Sequence, residues 1–196
     1  MDIATAAKWM ADEFLAVGIS KKLGIIGFCF GGGRLIEVLS RDQGACFGVG
    51  VSFYGTRMDP SIASNVKVPV LFISGDNDPL CSVNVSKDIE KRIGHGSRVI
   101  VFQERGHGFA HRPNSPEEDR DAEQAFVLMR NWLHDVKLSL QNFIANCNIC
   151  CSGNDARESD AKLRSSSTNE NVAVLGSCML PRAPLLLVTK MVTETR

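Results

Sequence analysis

Gly27-Phe28-Cys29-Phe30-Gly31-Gly32-Gly33 joins the apolar run Leu23-Gly24-Ile25-Ile26 to the helix-like segment Arg34-Leu35-Ile36-Glu37-Val38-Leu39. A strand enters, a tight glycine-flanked turn redirects the chain, and a helix leaves. This is the layout of a nucleophile elbow, G-x-S-x-G, with cysteine in place of serine. Such an elbow holds its central residue on a strained backbone, so the positions two before and two after it must lack colliding side chains. Gly27 and Gly31 meet that need. A helix N-terminus aimed at a sulfur favours thiolate over thiol. Taken alone, the stretch also fits a glycine-rich turn around a structural cysteine.

The flanking sequence alternates in type. Residues 3–17 predict a helix, with Ile3, Ala6, Ala7, Met10, Phe14 and Leu15 near helical spacing and Gly18 as its stop. Residues 23–28 predict a buried strand and residues 30–40 the helix after the elbow. Further strands are predicted over 46–54, 68–74 and 97–102, with Pro69 tolerated only at the start of its strand. A helix over 82–93 ends at Gly94, and Ala122, Ala125, Phe126, Met129, Trp132, Leu133 and Val136 mark a long amphipathic helix over about 117–140. Trp9 and Trp132 lie on apolar helix faces and are assigned to the core. His95 and His134 have no motif around them and read as surface residues. Strands alternating with helices specify an α/β fold, a mostly parallel sheet with helices on both faces.

Composition narrows the partners. The 196 residues correspond to one domain with a real core. Lys plus Arg and Asp plus Glu both number 22. That balance favours neither nucleic acid nor an anionic membrane as partner. No run of about 18 apolar residues is present, so no membrane helix is expected, and the first residues lack the features of a signal peptide. Seven cysteines, an odd number mostly in apolar surroundings, point to a reducing, cytoplasmic setting rather than a disulfide framework. Residues 152–171 are polar and predict disorder, and the apolar island Pro184-Leu185-Leu186-Leu187-Val188 has no partner in the pattern. Cys147, Cys150 and Cys151 have metal-clip spacing but no histidine at usable distance, so they read as plain thiols. No phosphate loop, cofactor motif or metal site is predicted.

Two more stretches bear on the elbow. Ser74-Gly75-Asp76-Asn77-Asp78-Pro79 and Gly106-His107-Gly108-Phe109-Ala110-His111-Arg112 each follow a predicted strand. In an open parallel sheet those strand ends share one edge, where ligands bind. Cys29, an aspartate from residues 76–78 and His107 would then meet at one rim, in the chain order nucleophile, acid, base of the α/β-hydrolases. Cys29 would attack a carbonyl carbon. His107 would shuttle the proton. The aspartate would orient the imidazole, and the Phe30 N–H would donate to the oxyanion. Either aspartate also suits a simple turn.

These motifs together, with Phe53-Tyr54-Gly55, resemble the dienelactone hydrolase (carboxymethylenebutenolidase) family over residues 3–140. The resemblance implies a single α/β-hydrolase domain, here residues 1–142; residues 143–196 depart from the family and form an atypical tail, expected to be disordered from its composition. It implies cleavage of a small ester or lactone through a thioester, with no cofactor, and leaves oligomeric state open. It places the acid at Asp78 by the G-x-x-D spacing and makes Arg112 and Tyr54 substrate-binding residues. A guanidinium suits a substrate carboxylate because its planar fork matches the two oxygens. Family members carry a longer segment before the elbow, where this chain has 28 residues. That segment supplies a second oxyanion donor, a glutamate and an arginine. The expectation is therefore an N-terminally truncated fold, with about four strands and the elbow strand near an open edge. The alternatives are an inactive fragment and a redox-sensing thiol at Cys29.

Overall fold

The structure, a computed structural model, describes residues 3–16, 22–151, 170–175, 186–187 and 190–191. Helix α1 (Ile3–Ala16) precedes β1 (Leu23–Phe28), α2 (Phe30–Asp42) and β2 (Phe47–Phe53). A 3₁₀ turn over Pro60–Asn65 leads to β3 (Val70–Gly75), α3 (Val83–Ile93), β4 (Arg98–Phe102) and α4 (Pro116–Cys151). Three short strands follow, β5 (Glu170–Leu175), β6 (Leu186–Leu187) and β7 (Lys190–Met191). The strand order is β4-β3-β2-β1-β5-β6, with β7 paired to β5. Strands β1 to β4 run parallel, and β5 adds to β1 in parallel.

Strands β1, β2 and β3 are buried along their whole length. This is why they read as continuous apolar runs without alternation. Each face of the sheet has its own core. Leu23 and Ile25 point with Phe72 toward α1, α2 and α3, meeting Met10, Leu35, Leu39 and Ile89. Ile26 and Phe28 point with Val51, Phe53 and Ile73 toward α4, meeting Ala122 and Ala125. A register irregularity between Leu23 and Gly24 lets Phe47 join the first core while Val51 and Phe53 join the second. Every strand end along β1 to β3 is therefore anchored from both sides, and the loops leaving those ends start from fixed points.

Three expectations change. Trp9 is 59% exposed and Leu15 65% exposed, not core. The buried stripe of α1 is Ile3, Ala7, Met10 and Phe14, a spacing of i, i+4, i+7, i+11 that leaves residues 9 and 15 on the outer side. Trp132 does pack inward, and its indole N–H donates to the Gly50 carbonyl at 3.3 Å. The elbow strand is not at an edge, because β5 pairs along residues 24–27 of β1. An edge presents unpaired backbone groups that any available strand can satisfy. The tail is correspondingly not structureless throughout: α4 runs to Cys151, β5 begins inside the stretch predicted as disordered, and the apolar island contributes β6, antiparallel to β5. Gly18 and residues 152–169 lie outside the described residues, as do the side chains of Cys147, Cys150 and Cys151. Among the described residues no helix is long and apolar enough to cross a membrane.

Candidate active site

Cys29 is the hinge between β1 and α2, with φ 54° and ψ −121°. Few non-glycine residues adopt such angles, and holding one there costs about 1–3 kcal/mol. The surroundings impose it. The Cys29 amide donates to the Phe53 carbonyl at 3.0 Å, and its own carbonyl accepts from Thr56 at 3.0 Å and Gly33 at 3.3 Å. A Cβ at Gly27 would lie 2.6 Å from the Gly31 carbonyl carbon, so the turn can close only with glycine at position 27. The thiol is thus lifted above the sheet at the start of α2. The Phe30 N–H is the first of the amides that a helix leaves without an intrahelical acceptor.

His107 reaches this thiol from the loop after β4. Its Nε2 lies 3.0 Å from Cys29 Sγ and its Nδ1 lies 2.8 Å from Asp78 Oδ2. Asp78 comes from the loop after β3, and its side chain is fully shielded from solvent. Its other oxygen accepts the Leu80 N–H at 2.8 Å and the Cys81 N–H at 3.2 Å. The two turn aspartates are thereby separated: Asp76 instead accepts the Glu104 N–H at 2.6 Å and only braces the loop. Behind Asp78, the Cys81 thiol contacts the Ser74 hydroxyl at 3.5 Å and the Ser86 hydroxyl at 3.9 Å. Burial pushes the Cys81 thiol up, against the pull of those two hydroxyls. It therefore stays an uncharged packing group beside the carboxylate.

Tyr54 follows β2 with φ 37°. Its ring stands edge-on to the His107 ring, with centroids 5.2 Å apart. Its hydroxyl lies 2.7 Å from His111 Nδ1, and His111 in turn stands edge-on to Phe28 at 4.2 Å. Burial of that ring face, and then the charge of Arg112, pull the His111 imidazole down from its ordinary value, although the residue is exposed on its other side. Arg112 is exposed at the end of the same turn, with its amide donating to the Gly108 carbonyl at 3.1 Å. Phe30 is 39% exposed at the mouth of the elbow. The sequence around His111 points to Arg112 and gives His111 no role of its own, because what marks His111 is a partner 57 residues away.

A separate cleft of about 500 Å³ lies between this turn and α4, lined by Ala110, Pro113, Ala122, Phe126 and Arg130. None of Cys29, Asp78 or His107 lines it. Among the described residues Cys29, Cys46 and Cys81 are free thiols, and no cluster of three or more His, Cys, Asp or Glu residues is placed to hold a metal ion.

Comparison with known proteins gives a consistent picture. The profile of the "Dienelactone hydrolase family" matches residues 4–137. A carboxymethylenebutenolidase homolog from Xenopus tropicalis is 34% identical over 121 residues, 58% of this chain and 48% of the relative. The human carboxymethylenebutenolidase homolog is 30% identical over 140 residues, 68% of this chain and 55% of the relative. The chain thus spans about half the length of the curated relatives it matches. Among solved structures, one described as a dienelactone hydrolase from Klebsiella pneumoniae superposes with a TM-score of 0.51 at 21% identity, covering 65% of this chain and 57% of that one. A monoacylglycerol lipase from Paleococcus ferrophilus superposes with a TM-score of 0.52 at 13% identity, covering 69% of this chain and 76% of that one. The fold is therefore the α/β-hydrolase fold.

Proposed function

The chain belongs to the dienelactone hydrolase family, and on that premise we propose that it hydrolyses a small ester or lactone through a thioester on Cys29. The observation that carries the proposal is the continuous chain of contacts from Asp78 through His107 to the Cys29 sulfur, at 2.8 and 3.0 Å. Both lie within the reach required of an orienter, a base and a nucleophile.

In the proposed reaction His107 Nε2 takes the thiol proton as the sulfur attacks the carbonyl carbon. The electron pair moves to the carbonyl oxygen, which the Phe30 N–H stabilises. Asp78 keeps the other imidazole proton on Nδ1 and balances the imidazolium. The tetrahedral adduct collapses, the C–O bond breaks, and His107 returns the proton to the departing alkoxide. Water, deprotonated by the same imidazole, then attacks the thioester. The acid leaves and the thiol is restored. Arg112 is assigned to a carboxylate on the substrate and Tyr54 to the wall of the pocket. Residues 1–142 are the hydrolase domain in this reading, with residues 143–196 appended to it. A reducing, cytoplasmic compartment suits a free Cys29 thiol.

Turnover of p-nitrophenyl acetate by this chain tests the proposal. The wild type is expected to release nitrophenolate at least about a hundredfold faster than Cys29→Ala, the scale of nucleophile and base assistance. Equal rates for the two would remove the hydrolase reading for this chain.

A further inference from the structure

Tyr54 and His111 are joined by a hydrogen bond that the proposed reaction does not use. Tyr54 is fixed to the sheet: it is 2% exposed, and its amide donates to the Ile73 carbonyl at 2.7 Å. His111 is fixed to the turn that carries His107, because its amide donates to the Gly108 carbonyl at 2.8 Å. The 2.7 Å contact between the Tyr54 hydroxyl and His111 Nδ1 therefore ties that turn to the end of β2.

The turn needs such a tie. His107 lies between Gly106 and Gly108, and Gly108 adopts φ +81° with open space where a Cβ would be. Two glycines around the imidazole leave its backbone with the widest conformational choice available to a chain. Phe109 is buried against Phe102, and Ala110 is buried beside it, so the middle of the turn is anchored, but residues 111–114 beyond them are exposed. There His111 provides the anchor, through Tyr54 and through its edge contact with Phe28. The Tyr54 ring also lies directly against the His107 ring, at 5.2 Å between centroids. One tyrosine thus supports the imidazole from the side and holds the turn that bears it.

A phenol keeps its proton near neutral pH, and burial followed by the neighbouring Arg112 charge pulls the His111 imidazole down. The contact therefore joins two neutral groups, each able to donate or accept.

We propose that Tyr54 and His111 form a positioning pair that holds the His107 imidazole in line with the Cys29 thiol. The inference rests on the reading of His107 as the base for Cys29. It gives the Tyr54 hydroxyl a part in holding the turn, beside the place of its ring in the pocket wall.

The test uses the full chain carrying Tyr54→Phe, His111→Leu, both together, or His111→Gln. Tyr54→Phe keeps the ring and its packing, and His111→Gln keeps an acceptor for the hydroxyl. Two quantities are read: kcat and KM for p-nitrophenyl acetate, and the pH dependence of iodoacetamide alkylation at Cys29, followed on its peptide by mass spectrometry. Tyr54→Phe and His111→Leu are each expected to lower kcat about tenfold while KM stays within about twofold, the signature of a displaced base rather than a lost substrate contact. Alkylation should move to higher pH in both. The double variant should be no worse than the worse single one, and His111→Gln should recover most of the loss. A raised KM with unchanged kcat and an unchanged alkylation profile would overturn the pairing, as would additive losses. Should the wild type show no Cys29-dependent turnover, the hydrolase reading fails on its own. The alkylation profiles then still decide the pair, and an unshifted profile in Tyr54→Phe rejects it.

Discussion

Asp78 presents both carboxylate oxygens to groups that donate. Oδ1 receives the Leu80 and Cys81 amides, and Oδ2 faces His107 Nδ1. An asparagine in the same place cannot satisfy both sides. Either its NH₂ opposes the two backbone amides, or it opposes Nδ1 and drives the imidazole proton to Nε2. The second arrangement leaves no lone pair toward Cys29. Asp78→Asn is expected to lower kcat/KM by about 10²–10⁴, with the urea midpoint shifted far less than by a core truncation. A change in the His107 tautomer, read by ¹⁵N NMR, is the accompanying sign, and retained activity would remove Asp78 from the mechanism. The choice between the two aspartates shows what local sequence holds. Both fit a turn equally well, and they separate only through their partners, Glu104 for one and His107 for the other. Those partners come from the next loop along the sheet edge, so the distinction depends on the folded rim. His111 is the extreme case, since the side chains that give it a role come from β1 and from the residue just after β2.

Element by element, legibility follows burial. β1, β2 and β3 are covered on both faces, and a continuous apolar run bounded by turn residues has few other solutions. In α1 the apolar spacing does not single out the packed face: the stripe that meets the sheet is Ile3, Ala7, Met10 and Phe14, and it leaves Trp9 on the outer side. The β5 pairing was invisible because it answers an open edge of β1, not a pattern in its own sequence. The elbow was legible for a different reason. Gly27 is demanded by the close approach of Gly31 within the elbow, and Gly32 and Gly33 by contact between α2 and the turn after β2. A Cβ at Gly33 would overlap the Thr56 carbonyl, the same turn whose amide holds the Cys29 carbonyl. Gly33→Ala must therefore push the first turn of α2 away from β2 and carry Cys29 with it. The expected result is a loss of about 1–3 kcal/mol in urea unfolding, the usual range for overpacking, with a fall in turnover larger than that loss of folded protein accounts for. Unchanged stability would mean that the close approach of α2 to Thr56 is wrong.

At the scale of the whole molecule, the sheet divides stability from function. Its two cores are separate layers: Phe72 lies in the one beneath α2 and α3, and Phe53 in the one beneath α4. Both rings are at most 1% exposed, so truncating either leaves a cavity of similar size. Each Phe→Ala change is expected to cost about 3–5 kcal/mol in a single cooperative unfolding transition. Their effects on the site should differ. Phe53 stacks on Phe28 with centroids 4.6 Å apart, meets Tyr54 at 6.1 Å, and lends its carbonyl to the Cys29 amide. Phe72 has no ring contact with that aromatic layer among the described residues. Under conditions where both variants remain folded, Phe72→Ala should keep a kcat/KM near that of the wild type, while Phe53→Ala should lose about tenfold or more as Tyr54 and the His107 turn settle into the cavity. Interior packing transmits displacement because it is dense, but it does so within a layer more readily than through a hydrogen-bonded sheet. Equal losses of kcat/KM at the two positions would show instead that the sheet passes strain freely from one face to the other.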